Sequence, residues 1–100
     1  MAKKSMIARD IKRKKLINKY ANQRKKLKTS IKSAQSFSDQ LNIQKILQHL
    51  PKNSTKIRLR NRCWVTGRSR GYFRVFGLSR HIVREMAHNC LIPGLKKASW

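Results

Sequence analysis

The chain has 100 residues, with 26 Lys and Arg against 3 Asp and Glu and a formal net charge of +23. That length makes at most one ordinary domain. Only 39% of the residues are hydrophobic and 7% aromatic, so a core spanning the whole chain would be thin. Self-repulsion opposes compaction until an anionic partner neutralises it, and nucleic acid supplies negative charge at the required spacing. Three acids leave almost no material for carboxylate pairs or hard-cation cages, which argues against an enzyme. Cys63 and Cys90 do not make a disulfide framework and read as free thiols of a reducing compartment. No run approaches the roughly 18 apolar residues of a membrane span. The first thirty or so residues have the charge of a transit peptide, but the positive charge continues far beyond presequence length, so they read as part of the mature protein.

In chain order, residues 3–32 read as one long basic helix with 13 Lys and Arg and a single acid, Asp10. Apolar residues recur as Ile7, Ile11, Leu16, Ile17, Tyr20, Leu27 and Ile31, a narrow stripe with one gap on a cationic rod that no Gly or Pro interrupts. A solvated helix usually interleaves both signs, so a rod this one-sided is expected to order against phosphate. Residues 33–38 are a polar hinge in which Ser36 or Ser38 can cap a second helix at 39–49, with Asp39 near its positive end. Leu41, Ile46, Leu47 and Leu50 give that helix an apolar face, Pro51 ends it, and it reads as packing material.

Residues 52–62 alternate Lys56, Arg58, Arg60 and Arg62 with Ile57, Leu59 and Asn61. An extended strap would put the four cations on one side, about 6.6 Å apart, comparable to phosphate spacing along a strand. Residues 63–78 hold three of the four glycines and four of the seven aromatics, which predicts a short hairpin or knuckle with turns near Gly67, Gly71 and Gly77. Ser79 caps a last helix at 80–89 with Ile82, Val83, Met86 and Ala87 inward and Asn89 as C-cap. Pro93-Gly94 then makes a turn before a basic end. The expected fold is mainly α with irregular extended segments, organised as a basic helical extension (1–38), a short packing helix (39–51), a strap (52–62), and a knuckle with C-terminal helix and tail (63–100).

The cations expected to meet RNA are Lys3, Lys4, Arg9, Lys12, Arg13, Lys14, Lys15, Arg24 and Lys25 on the rod, and Lys56, Arg58, Arg60 and Arg62 on the strap. Arg68, Arg70, Arg74 and Arg80 join them around the knuckle, with Lys96, Lys97 and Trp100 in the tail. The string RGYFRVF at 70–76 has the aromatic and basic character of an RRM stacking motif, but out of register and without the strands that an RRM needs. Phe73 and Phe76 therefore read as knuckle core, while Trp64 and Tyr72 suit half-exposed positions. His81 and His88 are seven apart, about 10 Å along a helix, too far to share one metal ion. Cys63 has no evident base with an orienting acid, so no catalytic residue is assigned. The spacing C-x2-C-x12-C-x2-C would signal a zinc ribbon. Counting from Cys63, the other slots fall on Thr66, Ser79 and Ile82, which predicts a ribbon-like knuckle without metal or any other cofactor.

The string RNRCWVTGRSRGYFRVFGLSRHIVREMAHNCLIPGLKKASW closely resembles the C-terminal half of the small-subunit ribosomal protein fourteen family. The start, MAKKSMIARDIKRKKLINKYANQRKKLK, resembles the long bacterial and plastid form of that family, and the GLSRH–REM–H–C–IPG combination looks closest to plastid-encoded members. The family's short form carries a zinc-binding CxxC pair, from which this chain departs at Thr66, Ser79 and Ile82 as the long form does. The resemblance implies a structural rRNA-binding component of the small-subunit head, needed for assembly, near the decoding A site and beside other head proteins, in a plastid or otherwise a bacterial ribosome. Two rivals carry the same charge. A histone-like or architectural DNA binder would lack the knuckle, and a membrane-active peptide would need a denser apolar stripe than residues 3–32 provide.

Overall fold

The structure, a computed structural model, describes residues 2–99. It divides into two compact units, one of Ala8–Leu59 and one joining the residues up to Ile7 to those from Arg60 onward.

In the first unit, α1 (Lys4–Ser33, shared with the second unit at its start) is the helix expected from thirty residues rich in Lys and Arg and free of Gly and Pro. Its covered positions within this unit are Asp10, Arg13, Leu16, Ile17, Tyr20, Arg24, Leu27 and Ile31, which, Leu16 apart, alternate steps of three and four residues. The apolar stripe is only part of this seam. Ile11 lies off it at 50% exposure, and the gap between Tyr20 and Leu27 is filled by Arg24, which turns inward. Near the C-terminus, the hydroxyls of Thr29, Ser30 and Ser33 donate back to carbonyls three or four residues earlier. Such bonds compete with the helical ladder and weaken its last turns.

The second helix, α2 (Phe37–His49), starts earlier than expected, so the hinge is only residues 34–36. Ser36 stands at its N-cap without capping through its side chain; its hydroxyl meets that of Ser38 at 2.8 Å instead. The half-buried positions of α2 are Gln40, Ile43 and Leu47, followed by Leu50, while Leu41 and Ile46 are about half exposed. The apolar face was therefore misplaced by part of a turn, and no residue of α2 is fully buried.

The strap is not extended through 52–62. Two 3-10 turns, Lys52–Ser54 and Lys56–Arg58, occupy its first half. The cause is local: the Ser54 and Thr55 hydroxyls donate to the Pro51 and Lys52 carbonyls at 2.5 and 2.8 Å, offering the backbone a turn in place of extension. A 3-10 turn advances about 120° per residue, so Lys56 and Arg58 do not share a strand-like face. Ile57, expected on the apolar side, is 94% exposed.

The second unit is built around a hairpin. Strands β1 (Tyr72–Phe73) and β2 (Leu78–Ser79) pair antiparallel, Tyr72 opposite Ser79 and Phe73 opposite Leu78. Ser79 leads directly into α3 (Arg80–His88). The small core is Cys63, Leu78 and Val83, with Ile82, Met86, Ile92 and Leu95 packed against it, so the tail beyond Pro93-Gly94 is anchored by side chains on both sides of its turn. Phe73 and Phe76 are not core. They are 45% and 36% exposed and meet edge to face at 6.5 Å, while the buried residues of the hairpin, Leu78 and Ser79, both lie on β2. Tyr72 is half-buried as expected, whereas Trp64 is exposed. Helix α3 ends in a Schellman motif: Leu91 N–H donates to the Met86 carbonyl and Cys90 N–H to that of Ala87. Asn89 is the C-cap, and the left-handed residue that follows is Cys90, at φ 54°.

Candidate nucleic-acid interface

The cations form two populations. Lys3, Lys4, Arg9, Lys12, Lys14, Lys15, Lys25, Lys56, Arg58, Arg60, Arg70, Arg74, Arg80, Lys96 and Lys97 are exposed. Arg13, Arg24, Arg62 and Arg68 are half-buried and hold the protein's own backbone. Arg13 Nη1 donates to the Arg58 carbonyl at 3.1 Å and lies 3.5 Å from Asp10. Arg24 Nε donates to Ser54 Oγ at 2.8 Å, and its Nη2 to the Pro51 carbonyl at 3.4 Å. In the second unit, Arg62 Nη1 donates to the Gly67 carbonyl at 3.0 Å, and Arg68 Nε to that of Arg70 at 3.2 Å. A planar five-donor guanidinium suits such fork contacts better than an ammonium does, which explains why the clamps are all Arg. Trp100 lies outside the described residues.

Within the first unit, α1 and the turns at 54–57 enclose a half-open groove of about 560 Å³. Lys25, Lys28 and Lys32 line it from α1 at spacings of three and four, with Lys56 from the turns and Arg24 between them. Ile17, Ala21 and Ile57 supply apolar surface, Thr29 and Thr55 supply hydroxyls, and no carboxylate lines it. Lys28 and Lys32 are absent from the cations singled out in the sequence, although the 25–28–32 spacing puts them on one helical face.

The knuckle places a second kind of chemistry. Cys63 is 2% exposed. Its N–H donates to the Arg68 carbonyl at 2.9 Å, and Gly67 N–H donates to its carbonyl at 2.8 Å, closing a tight loop. Gly67 needs its lack of a Cβ twice over: φ is +72°, and a Cβ would stand 2.6 Å from Cδ1 of Ile7. Burial pushes the Cys63 thiol up, but hydrogen bonds from the Thr66 hydroxyl and from the backbone N–H groups of Thr66, Ser79 and Val65 outweigh it and bring the pKa from 9.0 down to about 7. Two of the slots counted from Cys63, Thr66 and Ser79, thus converge on its sulfur, and the third, Ile82, packs against the same cluster. Among the described residues, no group of three or more His, Cys, Asp or Glu is placed to hold a metal ion. His88 Nε2 lies 3.0 Å from Lys97 Nζ.

A small basic protein with one long and two shorter helices, a hairpin knuckle and outward-facing cations is the kind of chain that assembles into a larger ribonucleoprotein. The sequence signature of the ribosomal protein S14p/S29e family covers residues 46–99, and the chain belongs to that family. Over its whole length, and the whole length of each relative, it is 61% identical to the small ribosomal subunit protein uS14c of Mesostigma viride, 60% to that of Gracilaria tenuistipitata var. liui and 59% to that of Emiliania huxleyi. This is a family of structural ribosomal proteins and not of enzymes.

Proposed function

We propose that the chain is a structural constituent of the small subunit of the plastid ribosome. It binds small-subunit rRNA in the head, lies beside other head proteins, and supports both subunit assembly and the conformation near the decoding A site. The relatives, all small ribosomal subunit proteins, support the place of work. The observation that carries RNA binding is the groove, where five cations and no carboxylate face one channel. Five like charges so arranged repel one another until polyanion enters, and each neutralised phosphate releases counterions.

The apolar inventory supports folding that completes on RNA. The buried apolar side chains among the described residues are Ile17, Cys63, Leu78 and Val83, divided between two units, with no disulfide among them. So thin a core offsets little of the chain's ordering entropy on its own. We also read residues 63–82 as the backbone of a four-thiolate zinc knuckle that has lost its metal. The convergence of donors on Cys63 and the turn at Gly67 support this; a hydroxyl now satisfies the sulfur where a second thiolate would stand.

Co-sedimentation with small subunits tests the assembly, and the salt dependence of rRNA binding tests the groove. Replacing Lys25, Lys28 and Lys32 by Gln should lower the slope of log K against log salt by about 0.7–0.9 per lost phosphate contact. An unchanged slope would overturn the groove as the RNA site.

A further inference from the structure

The groove on α1 accounts for the backbone of an RNA and says nothing of its bases. At the other end of the chain, a cavity of about 330 Å³ is lined by four side chains: Phe73, Arg80, His81 and Arg84. Each carries a flat π system, one phenyl, two guanidinium groups and one imidazole. Phe73 comes from β1, and the other three from the first five residues of α3.

Among the described residues, no hydrogen bond or ion pair ties these four side chains together. Phe73 stays 45% exposed on a hairpin whose buried residues, Leu78 and Ser79, both lie on β2, and its aromatic neighbour Phe76 meets it edge to face at an interplanar angle of 79°. Arg80 and Arg84 stand four apart on one face of α3, where like charges repel. The first turn of α3 contains no acid and the Ser79 side chain does not cap it; the Arg80 N–H is taken by the Gly71 carbonyl at 2.7 Å, and the positive field of the helix end falls beside the arginines. Glu85, the one acid of α3, is not part of the lining.

An aromatic ring alone would suit an apolar protein partner, but docking one here would desolvate two guanidinium groups that have no acidic partner among the described residues. A nucleotide satisfies both halves. Its base stacks on the phenyl and guanidinium faces, as bases of unpaired RNA do on aromatic and Arg side chains, and its phosphate meets Arg80, Arg84 and the helix terminus.

We propose that the cavity formed by Phe73, Arg80, His81 and Arg84 receives a single unpaired nucleotide of small-subunit rRNA, stacked on Phe73 with its phosphate between Arg80 and Arg84. This inference rests on the RNA-binding reading above and adds a base-recognising site to it.

The test uses small subunits reconstituted on small-subunit rRNA with the full-length chain, probed chemically at single-nucleotide resolution. Phe73→Leu and, separately, Arg84→Gln should each shift one and the same nucleotide toward its reactive, unstacked form, about ten-fold for the Phe73 variant. Phe73→Tyr, which keeps the ring, should protect that nucleotide as the parent chain does. If Phe73→Leu fails to enter subunits, Arg84→Gln, an exposed position, still reads the site. Variants that incorporate normally and leave every nucleotide's reactivity unchanged would overturn the proposal, as would a change confined to contacts with a neighbouring protein. Failure of the parent chain to co-sediment with the subunit would overturn the broader RNA-binding reading instead.

Discussion

Thr66→Cys, Ser79→Cys and Ile82→Cys together, with Cys63 kept, should convert the knuckle into a zinc site. The backbone favours it because the Thr66 hydroxyl and the Ser79 backbone N–H already bond the Cys63 sulfur, and Ile82 packs against the same cluster. Without metal, the triple variant is weakened three times over. Losing the Thr66 hydroxyl removes a hydrogen bond to a thiolate, about 1.5–3 kcal/mol. Ser79 is 1% exposed, and a larger sulfur there overpacks its site by about 1–3 kcal/mol. Shortening half-buried Ile82 forfeits about 1–2 kcal/mol of apolar contact. Together these cost about 4–8 kcal/mol, whereas a closed four-thiolate zinc site supplies about 10–16 kcal/mol near neutral pH. The variant should therefore be less ordered than the parent without zinc and more ordered with it. Affinity should fall at lower pH as protons compete for the thiolates, Cys63 being the thiol most ready to ligate. Elemental analysis after gel filtration, with amide exchange of residues 63–82 followed during zinc titration, reads both effects. Stoichiometric zinc in the parent chain, none in the triple variant, or zinc bound without protection of those amides would each refute the reasoning.

The Cys63 thiol, lowered by its hydrogen bonds from 9.0 to about 7, makes the folded knuckle more stable as pH rises. The contribution is fully present above about pH 9 and lost as pH falls through about 7, on the order of 2–3 kcal/mol in all. Urea unfolding of the RNA-bound protein between pH 6 and 9 should show this slope in the parent and lose most of it in Cys63→Ala, and Thr66→Val, which removes the hydroxyl that lowers it, should raise the thiol's pKa. Ser54→Ala should strip Arg24 of its 2.8 Å partner and loosen the turns at 52–58 by about 1–2 kcal/mol, read as faster amide exchange there. Lys25→Ala should leave that exchange unchanged. Cys90→Gly should stabilise the end of α3 by about 0.5–1 kcal/mol in the same exchange measurement, because Cys90 holds the left-handed position of a Schellman motif that glycine occupies without strain.

What the sequence made legible follows from which interactions are local. Helix α1 was readable because thirty residues without Gly or Pro leave the backbone no competing choice, and the hairpin because Gly67, Gly71 and Gly77 all take positive φ. The strap was misread because alternation was given more weight than turn chemistry: Ser54 and Thr55 follow Pro51 closely enough to bond its neighbourhood, and that local option wins over an extended chain with no strand to pair with. Phe73 and Phe76 were misread for a different reason. Aromatic character predicts burial only where there is a core to enter, and a knuckle built on Cys63, Leu78 and Val83 has none to spare.

The inward arginines were the least legible of all, and they change how charge should be interpreted in a chain this basic. Arg24 falls in the one gap of an otherwise apolar stripe, so periodicity alone placed it on the inward seam, yet its charge placed it outward with its neighbour Lys25. Geometry decides between them: the guanidinium spans Ser54 Oγ and the Pro51 carbonyl, a fork that an ammonium could not fill, whereas Lys25 opens onto the groove. In a protein with 26 cations, a positive residue at an inward helical position is then read first as a clamp on nearby carbonyls, even where, like Arg24, it also lines the groove. It follows that charge-removing variants divide into two kinds. Those at Lys25, Lys28 and Lys32 should change the salt dependence of RNA binding with the fold intact. Those at Arg13, Arg24, Arg62 and Arg68 should disturb the surface on which the other cations are displayed, weakening RNA binding at every salt concentration alike.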